Sequence, residues 1–215
     1  MLDGPRVPPA SGQKAKSLVV FLHGYGADGN DLIGIGREWA RELPFTAFVS
    51  PHASQPCAGA PMGRQWFALT MRDPTEFSRG AATARPALDV FLDQELARHG
   101  LDESACALVG FSQGTMMALH AGPQRKRRLA GILGYSGLLA DPRALKAGAV
   151  QKPPVMLIHG DRDDLIPVTA LFSAAQGLAA AEIPVEWHIS SGVPHGIGPD
   201  GIELGLKFLK RVLPR

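Results

Sequence analysis

The stretch that decides the fold reads ACALVGFSQGTMMAL and covers residues 105–119. Its first five residues are small or apolar, which is typical of a buried strand, and its last residues favour a helix. Between them, residues 110–114 (GFSQG) fit the pattern G-x-S-x-G, in which a serine stands on a sharp turn from strand to helix. Such a turn needs small residues two positions before and after the serine, where this sequence has Gly110 and Gly114. The pattern predicts that Ser112 is a nucleophile, with a chance Gly–Ser turn as the alternative.

Short apolar runs alternate with helical patterns along the chain, which indicates an α/β fold. The runs predicted as buried strands are residues 17–22, 46–49, 105–109, 131–134, 155–159 and 185–189. The predicted helices are residues 82–99, 113–120, 168–181 and 201–213. Strands joined through helices pair in parallel with right-handed crossovers, so we expect a mostly parallel central sheet with helices on both faces.

The domain organisation is expected to be simple, because we find no repeat, low-complexity block or linker that would split residues 1–215. We expect residues 1–14 to form a flexible N-terminal tail. Residues 51–79 are rich in Pro and Gly and read as an insertion loop, and a long ordered loop in a compact domain is usually functional. Disorder is the alternative for that loop. The core leaves little length for a large cap domain.

The composition excludes several classes of protein. Hydrophobic residues make up 45% and charged residues 20% of the 215 residues, which rules out a disordered, collagen-like or coiled-coil chain. A net charge of +2 is too small to make nucleic acid or an anionic membrane the expected partner. The 25 glycines and 18 prolines exceed the usual share and must serve turns and tight backbone positions. The basic run at residues 125–128 is read as a solvated helix end rather than a binding patch.

The cysteines and the N-terminal segment bear on compartment and cofactors. Cys57 and Cys106 make no disulfide framework, and we find no CxxC or Cys/His cluster typical of zinc. The apolar run at residues 18–22 is too short to span a bilayer, and the residues before it do not resemble a signal peptide. We therefore expect a cytoplasmic protein with no metal or organic cofactor and no stable membrane insertion.

A nucleophilic serine needs a base that is oriented by an acid. In the fold that carries this serine turn, the chain order is Ser, then Asp or Glu, then His. Downstream of Ser112, three carboxylates follow one predicted strand: Asp161, Asp163 and Asp164. After the next strand, His195 lies in a loop bounded by Gly and Pro, which favours it over the other histidines. Spacing alone leaves the three acids open.

Acyl transfer through a tetrahedral intermediate also needs two backbone N–H groups aimed at the developing oxyanion. One is expected from Gln113, the residue after the serine, and the other from the loop after an early strand. That loop reads HGYGADG at residues 23–29, and its glycines allow the amides to turn inwards. Tyr25 is the predicted second donor, through its main chain. A phosphate-binding loop is the rival interpretation, but the loop lacks G-K-[ST].

The insertion is the predicted source of apolar substrate contacts. Its residues 51–79 include Met62, Trp66, Phe67 and Met71, which could line an open cleft. Simple packing of the loop is the alternative reading. A shallow cleft favours short to medium acyl chains, since each buried CH₂ adds only about 0.8 kcal/mol.

Four segments in this order resemble the phospholipase/carboxylesterase family, the acyl-protein thioesterase-like branch of the α/β hydrolases. They are LHGYG at residues 22–26, GFSQG at 110–114, HGDRDDLIP at 159–167 and PHG at 194–196. The resemblance covers roughly residues 15–213. It implies the α/β-hydrolase fold and selects Asp163, the fourth residue after the histidine of the third segment, as the acid. It also matches Tyr25 and Gln113 to the family's oxyanion positions.

Three positions depart from the family's pattern: Ile166 replaces a valine, Tyr25 stands where leucine is frequent, and Ala68 replaces an aspartate after Trp66-Phe67. The resemblance implies a serine hydrolase that cleaves carboxylic esters of small molecules or lipids through an acyl-enzyme. A lysophospholipase or an acyl-protein thioesterase has the same site and is the alternative. A non-catalytic binding module is the reading from another class. A homodimer is also implied by the resemblance alone.

Overall fold

The protein is built on a mostly parallel sheet. The structure is a computed structural model that describes residues 2–57, 59–70, 73, 75–145 and 150–214. Within these residues, seven strands form the central sheet in the order β1-β3-β2-β6-β7-β8-β9. The strands are β1 (Arg6–Val7), β2 (Ser17–Leu22), β3 (Thr46–Val49), β6 (Cys106–Phe111), β7 (Gly131–Tyr135), β8 (Val155–Gly160) and β9 (Val185–Ser190). Only β1 runs antiparallel to its neighbour among these described strands.

The predicted strands are confirmed, with small shifts at their ends. Each core strand reads as a nearly continuous apolar run because helices cover both faces of a parallel sheet. All six residues of β2 are buried. Alternate residues of β2 enter different cores: Leu18 and Val20 pack on one side of the sheet, and Val19 and Phe21 on the other.

Helices cover the two faces. They are α1 (Gly29–Trp39), α2 (Glu76–His99), α3 (Gln113–Ala121), α4 (Thr169–Ala180) and α5 (Pro199–Val212). Buried residues of α2, α3 and α4 belong to one core, and those of α1 and α5 to the other. The predicted helices are all present. Helix α1 was not predicted; Asp28 caps its N-terminus by accepting a hydrogen bond from the amide of Asn30 at 2.7 Å.

The N-terminal segment differs from the expected flexible tail. Arg6 and Val7 pair with Val49 and Phe48 of β3. Arg6 also forms a salt bridge of 2.7 Å with Glu95 of α2. Backbone pairing and this ion pair hold the segment to the edge of the sheet, where it covers an otherwise open strand.

The insertion contains regular structure. Within its described residues, β4 (Gln55–Cys57) and β5 (Ala60–Gln65) form an antiparallel hairpin beside the main sheet. Phe67, which follows this hairpin, packs against α2: a Cβ on Gly80 would lie 2.3 Å from the Phe67 ring. This part of the insertion is therefore anchored to the body of the protein.

The basic run at residues 125–128 is not uniformly solvated, which corrects the expectation. The Arg125 side chain is 4% exposed and pairs with Asp89 at 3.0 Å, with Asp93 and with Glu103 at 3.3 Å. Arg127, at 72% exposure, fits the predicted solvated face. In the part of the chain that the structure describes, no helix is long and apolar enough to cross a membrane.

Candidate active site

Ser112 stands on the predicted sharp turn between β6 and α3. Its backbone has φ 52° and ψ −115°, a conformation that L-residues rarely adopt. A Cβ on Gly114 would lie 1.8 Å from the carbonyl oxygen of Leu22, and one on Gly110 would lie 2.5 Å from the backbone of Gly114. The two glycines are thus required by close backbone approach, as the sequence pattern indicates.

Three side chains from different strand ends meet at this turn. The Oγ of Ser112 lies 3.0 Å from Nε2 of His195, and Nδ1 of His195 lies 2.7 Å from Oδ2 of Asp163. A carboxylate only accepts, so Nδ1 carries a proton and Nε2 is free to accept one from the serine. The structure brings together the three residues of the predicted triad.

Asp163 is held by more than His195. Its Oδ1 accepts hydrogen bonds from the amides of Leu165 at 3.0 Å and Ile166 at 2.8 Å. Nε2 of His159 lies 3.1 Å from Oδ2 and 2.8 Å from the carbonyl oxygen of Ile166. The carboxylate side chain is fully buried, and these donors compensate for the lost water.

The other two acids of the segment have different surroundings. Oδ1 of Asp161 accepts from the amide of Gly192 at 2.6 Å and so braces the loop that carries His195. Asp164 is exposed. Among the three acids that spacing left open, only Asp163 contacts His195 within the described residues.

The imidazole of His195 is oriented by neighbours that the sequence analysis did not single out. Its ring lies against Phe111, with ring centroids 5.1 Å apart. The hydroxyl of Ser136 donates to the carbonyl oxygen of Gly196 at 2.9 Å. Ser136 has φ 44°, and no local pattern in the sequence marks it.

The predicted oxyanion donors lie on segments that flank the serine. Gln113 is the first residue of α3, where amide groups lack an intrahelical acceptor. Tyr25 follows β2, and no acceptor among the described residues takes its amide N–H. The loop approaches the serine closely, since a Cβ on Gly24 would lie 3.4 Å from the Cβ of Ser112. A hydrogen bond to the Cys57 thiol raises the pKa of the Tyr25 phenol.

The predicted substrate contacts have unlike environments. Trp66 and Phe67 are 1% and 3% exposed, whereas Met62 on β5 is 91% exposed. Met62 lines an open groove with Gly26 and Asp28. Met71 lies outside the described residues.

The sequence analysis predicted a role for the main chain of Gln113 but not for its side chain, and it did not single out His23. The side chain of Gln113 accepts from the amide of Trp66 at 2.9 Å and donates to the carbonyl oxygen of Phe67 at 2.7 Å. His23 accepts from the amide of Ala53 at 3.0 Å, and burial lowers its pKa. A histidine within an apolar run was the available signal for His23. Within the described ranges, no group of three His, Cys, Asp or Glu side chains has the geometry of a metal site.

The chain matches the family model described as Phospholipase/Carboxylesterase over residues 6–213. It is 28% identical to acyl-protein thioesterase 1 of Gibberella zeae, over 98% of this chain and 96% of that protein. It is 27% identical to esterase YpfH of Escherichia coli, over 94% of this chain and 85% of that protein. The crystal structure of esterase PE8 superposes with a TM-score of 0.95 and 45% identity, covering 99% of each chain.

The predicted α/β-hydrolase fold is confirmed by these matches and by the mostly parallel sheet, which has no large cap among the residues that the structure describes. The SOBER1 structure of Arabidopsis thaliana, with a TM-score of 0.77 and 21% identity over 93% of this chain and all of that one, shares the fold. By its sequence match and its architecture, the chain belongs to the phospholipase/carboxylesterase family of hydrolases.

Proposed function

We propose that the protein is a serine hydrolase that cleaves carboxylic esters, with Ser112 as nucleophile, His195 as general base and acid, and Asp163 as the orienting acid. The observation that carries the proposal is the continuous path from Ser112 Oγ to His195 Nε2 at 3.0 Å and from His195 Nδ1 to Asp163 at 2.7 Å. Both distances lie in the range needed for proton transfer between positioned groups. Membership of a hydrolase family supports it.

The first half of the reaction forms an acyl-enzyme. Ser112 Oγ attacks the ester carbonyl carbon as its proton passes to Nε2 of His195. The imidazolium is stabilised by Asp163, and the tetrahedral intermediate collapses when the C–O bond to the leaving alcohol breaks. That alcohol departs with the proton from Nε2. In the second half, water attacks the acyl-enzyme and gives a proton to Nε2 of His195. The bond between the acyl carbon and Ser112 Oγ then breaks, His195 returns the proton to Oγ, and the carboxylic acid product is released.

The oxyanion of both tetrahedral intermediates would be held by the amides of Tyr25 and Gln113. Loss of one such donor typically lowers kcat by about 10²–10³. The placement of Gln113 at the N-terminus of α3 adds the favourable end of the helix dipole.

Esters with short to medium acyl chains are the proposed substrates. The relative at 45% identity carries the name esterase, and in the described part of the chain the site has no large cap domain to form a deep tunnel. Met62, which is exposed, and Met71 remain candidates for contact with the acyl chain, whereas Trp66 and Phe67 are buried. A series of p-nitrophenyl esters tests this: we expect activity to peak below about twelve carbons, since each CH₂ buried would add only about 0.8 kcal/mol. A monotonic rise beyond that length would contradict the open site.

Thioester cleavage is a second candidate, because several relatives carry the name acyl-protein thioesterase. The same three groups would expel a thiol in place of an alcohol. Matched oxygen and sulfur esters of one acid, compared by kcat/KM on the purified protein, distinguish the two.

Labelling with a fluorophosphonate tests the nucleophile. We expect stoichiometric labelling of the native protein and none in Ser112→Ala. Ser50→Ala is the matched control, since Ser50 is also buried and its hydroxyl has no hydrogen-bond partner among the described residues. It should label as the native protein does. Undiminished labelling of Ser112→Ala would exclude Ser112.

Substitution of the acids tests the proposed orienting residue. Asp163→Asn should lower kcat by about 10⁴, because an amide no longer favours the working tautomer of His195. Asp164→Asn should retain native activity, since Asp164 is exposed. The reverse ranking would refute the assignment of Asp163.

A further inference from the structure

The two proposed oxyanion donors lie on segments that are far apart in sequence, and one buried residue, Trp66, contacts both: its side chain contacts one segment and its backbone amide contacts the other. We infer that Trp66 is a positioning residue that fixes the loop of Tyr25 relative to Gln113, so that both amides address one oxygen. This inference rests on the proposed function and deepens it.

The first contact is with the loop after β2. The indole Nε1 of Trp66 donates to the carbonyl oxygen of His23 at 3.0 Å. The indole ring also lies on the His23 ring, with centroids 5.5 Å apart. His23 is two residues before Tyr25, so this contact sets where the loop leaves the strand.

The same loop segment is held on its other side by His23 itself. Its Nε2 accepts from the amide of Ala53, so its proton is on Nδ1, which donates to the carbonyl oxygen of Gly24 at 2.8 Å. Burial lowers the pKa of His23 and keeps the ring neutral, which preserves this pattern. The carbonyl of Gly24 is thereby turned towards His23. Because that carbonyl and the Tyr25 amide belong to one peptide plane, the amide direction is set as well.

The second contact is with Gln113. The backbone amide of Trp66 donates to Oε1 of Gln113 at 2.9 Å, and Nε2 of Gln113 donates to the carbonyl oxygen of Phe67 at 2.7 Å. Both polar atoms of the amide side chain are thus engaged by two consecutive residues of the insertion. The proposed donor Gln113 is tied to Trp66 through its own side chain.

The hairpin of β4 and β5, which ends one residue before Trp66, also binds the far end of the loop that contains Tyr25. The amide of Gly26 donates to the carbonyl oxygen of Arg64 at 2.9 Å, and the amide of Arg64 donates to that of Ala27 at 2.7 Å. A Cβ on Gly63 would lie 2.1 Å from the carbonyl oxygen of Gly26, so β5 and the loop are in close contact. The insertion therefore acts as a brace on the loop rather than as a cover.

Burial decides between this role and direct contact with substrate. Trp66 is 1% exposed, and its only polar side-chain atom is already engaged with His23. An oxyanion site works because its donors are fixed before the reaction begins, and small errors in their placement lower the rate steeply. A buried residue that binds one donor segment through its side chain and the other through its backbone amide meets that need.

The test is Trp66→Phe, which removes the indole N–H and keeps an apolar ring. Trp39→Phe is the matched control: Trp39 is 2% exposed, and its indole nitrogen has no hydrogen-bond partner among the described residues. Two quantities are measured in each variant after folding is verified by circular dichroism: kcat and KM for a p-nitrophenyl ester, and the inhibition constant of an alkylboronic acid. The boronic acid forms a tetrahedral adduct with serine, so its inhibition constant reports on the oxyanion donors. A general loss of packing would not change that constant in step with kcat.

We expect Trp66→Phe to lower kcat and to raise the inhibition constant of the boronic acid by the same factor, roughly tenfold. This effect is smaller than that of losing one oxyanion donor completely. KM should change less than about twofold, because ground-state binding does not use the oxyanion donors. Trp39→Phe should leave both quantities within about twofold of native. Equal behaviour of the two variants, or a fall in kcat with unchanged boronic acid inhibition, overturns the inference.

If Trp66→Phe does not fold, Gln113→Met decides instead, because it breaks the other side of the bridge and retains the backbone amide. Weakened boronic acid inhibition in that variant supports the bridge, and native inhibition overturns it. A native protein that neither hydrolyses esters nor reacts with a fluorophosphonate would overturn the proposed function itself, and this inference with it.

Discussion

The imidazole of His159 places Nε2 3.1 Å from Oδ2 of Asp163. That oxygen also faces His195, at 2.7 Å. One carboxylate oxygen is therefore shared by two histidines from successive strand ends, β8 and the loop after β9. Because His159 also lies 2.8 Å from the carbonyl oxygen of Ile166, its Nε2 carries a proton and acts as a donor.

Replacing His159 should affect the chemical step more than binding. His159→Leu removes a donor to a buried carboxylate, and we expect kcat to fall about tenfold, or ~1.4 kcal/mol, which is close to the lower end of the range for hydrogen bonds to charged groups. KM should be nearly unchanged. His159→Gln can place an amide N–H near the same position and should restore most of the loss. Steady-state kinetics of the two variants check this, and equal activity of Leu and Gln variants would contradict a role through Asp163.

The glycines of the serine turn allow a prediction about stability. Gly114→Ala would place a Cβ 1.8 Å from the backbone of β2, and backbone cannot move aside as a flexible side chain does. We expect a loss of more than ~4 kcal/mol in the free energy of unfolding, or failure to fold. Gly34→Ala is the control, since a Cβ there meets nothing within 4 Å. Because Gly34 lies in helix α1, Gly34→Ala should raise the free energy of unfolding by up to about 1 kcal/mol. Urea unfolding compares the two variants. A small loss of stability in Gly114→Ala would contradict the prediction and show that β2 and α3 can move apart.

Elements with continuous patterns could be predicted from the sequence. The bounds of β2 and β3 agree with the prediction because buried parallel strands are unbroken apolar runs. Helix α1 was missed because Gly34 and Gly36 weaken its pattern. Packing explains Gly36: its Cβ would lie 3.1 Å from Phe21 and Phe48, so a larger residue would push the helix off the sheet. Tertiary contact thus overrides low helix propensity there.

The site shows a similar limit. The G-x-S-x-G pattern indicated Ser112, and chain order with loop position indicated His195. Residue spacing left three acids, and only the family resemblance selected Asp163. Asp161 supports a neighbouring loop instead, a role that depends on its distance to Gly192 and is invisible in the sequence. The engagement of Trp66 with His23 was equally hidden, because aromatic residues in a loop suggest a substrate wall as readily as a buried brace. The catalytic roles of these residues stay predictions.

The buried arginine provides a prediction about ion pairs. Arg125 faces three carboxylates, and its removal would take away the ion-pair partner of Asp93 and Glu103, while Asp89 keeps a pair with Arg85 at 3.4 Å. We expect Arg125→Met to lower the free energy of unfolding by about 3–5 kcal/mol, as when one partner of a buried pair is lost. Arg127→Met removes an exposed ion pair with Asp102 at 3.4 Å and should change the free energy of unfolding by less than about 1 kcal/mol. Denaturant midpoints measure both, and similar losses in the two variants would contradict a special role for Arg125.

Buried histidines make stability depend on pH in the weakly acidic range. His120 is 5% exposed, and its Nδ1 has no hydrogen-bond partner within the described residues. Burial, and secondarily the charge of Arg85, lower its pKa. In the unfolded chain the ring protonates near pH ~6.5, while in the folded protein it stays neutral to lower pH. The unfolded state therefore binds more protons as the pH falls below about 6.5, and the free energy of unfolding decreases.

His120→Leu should remove this contribution. Between pH 7.5 and 5.5, we expect the free energy of unfolding to fall less in the variant than in the native protein, by up to about 1.4 kcal/mol for each pH unit below the unfolded pKa. Carboxylates whose pKa is lowered in the folded state, such as Asp102, lose their contribution only below about pH 4 and do not interfere. His23, whose pKa burial also lowers, keeps part of the slope in both proteins. Urea titrations at the two pH values decide the matter: parallel losses in variant and native protein would mean that His120 does not stay neutral when folded.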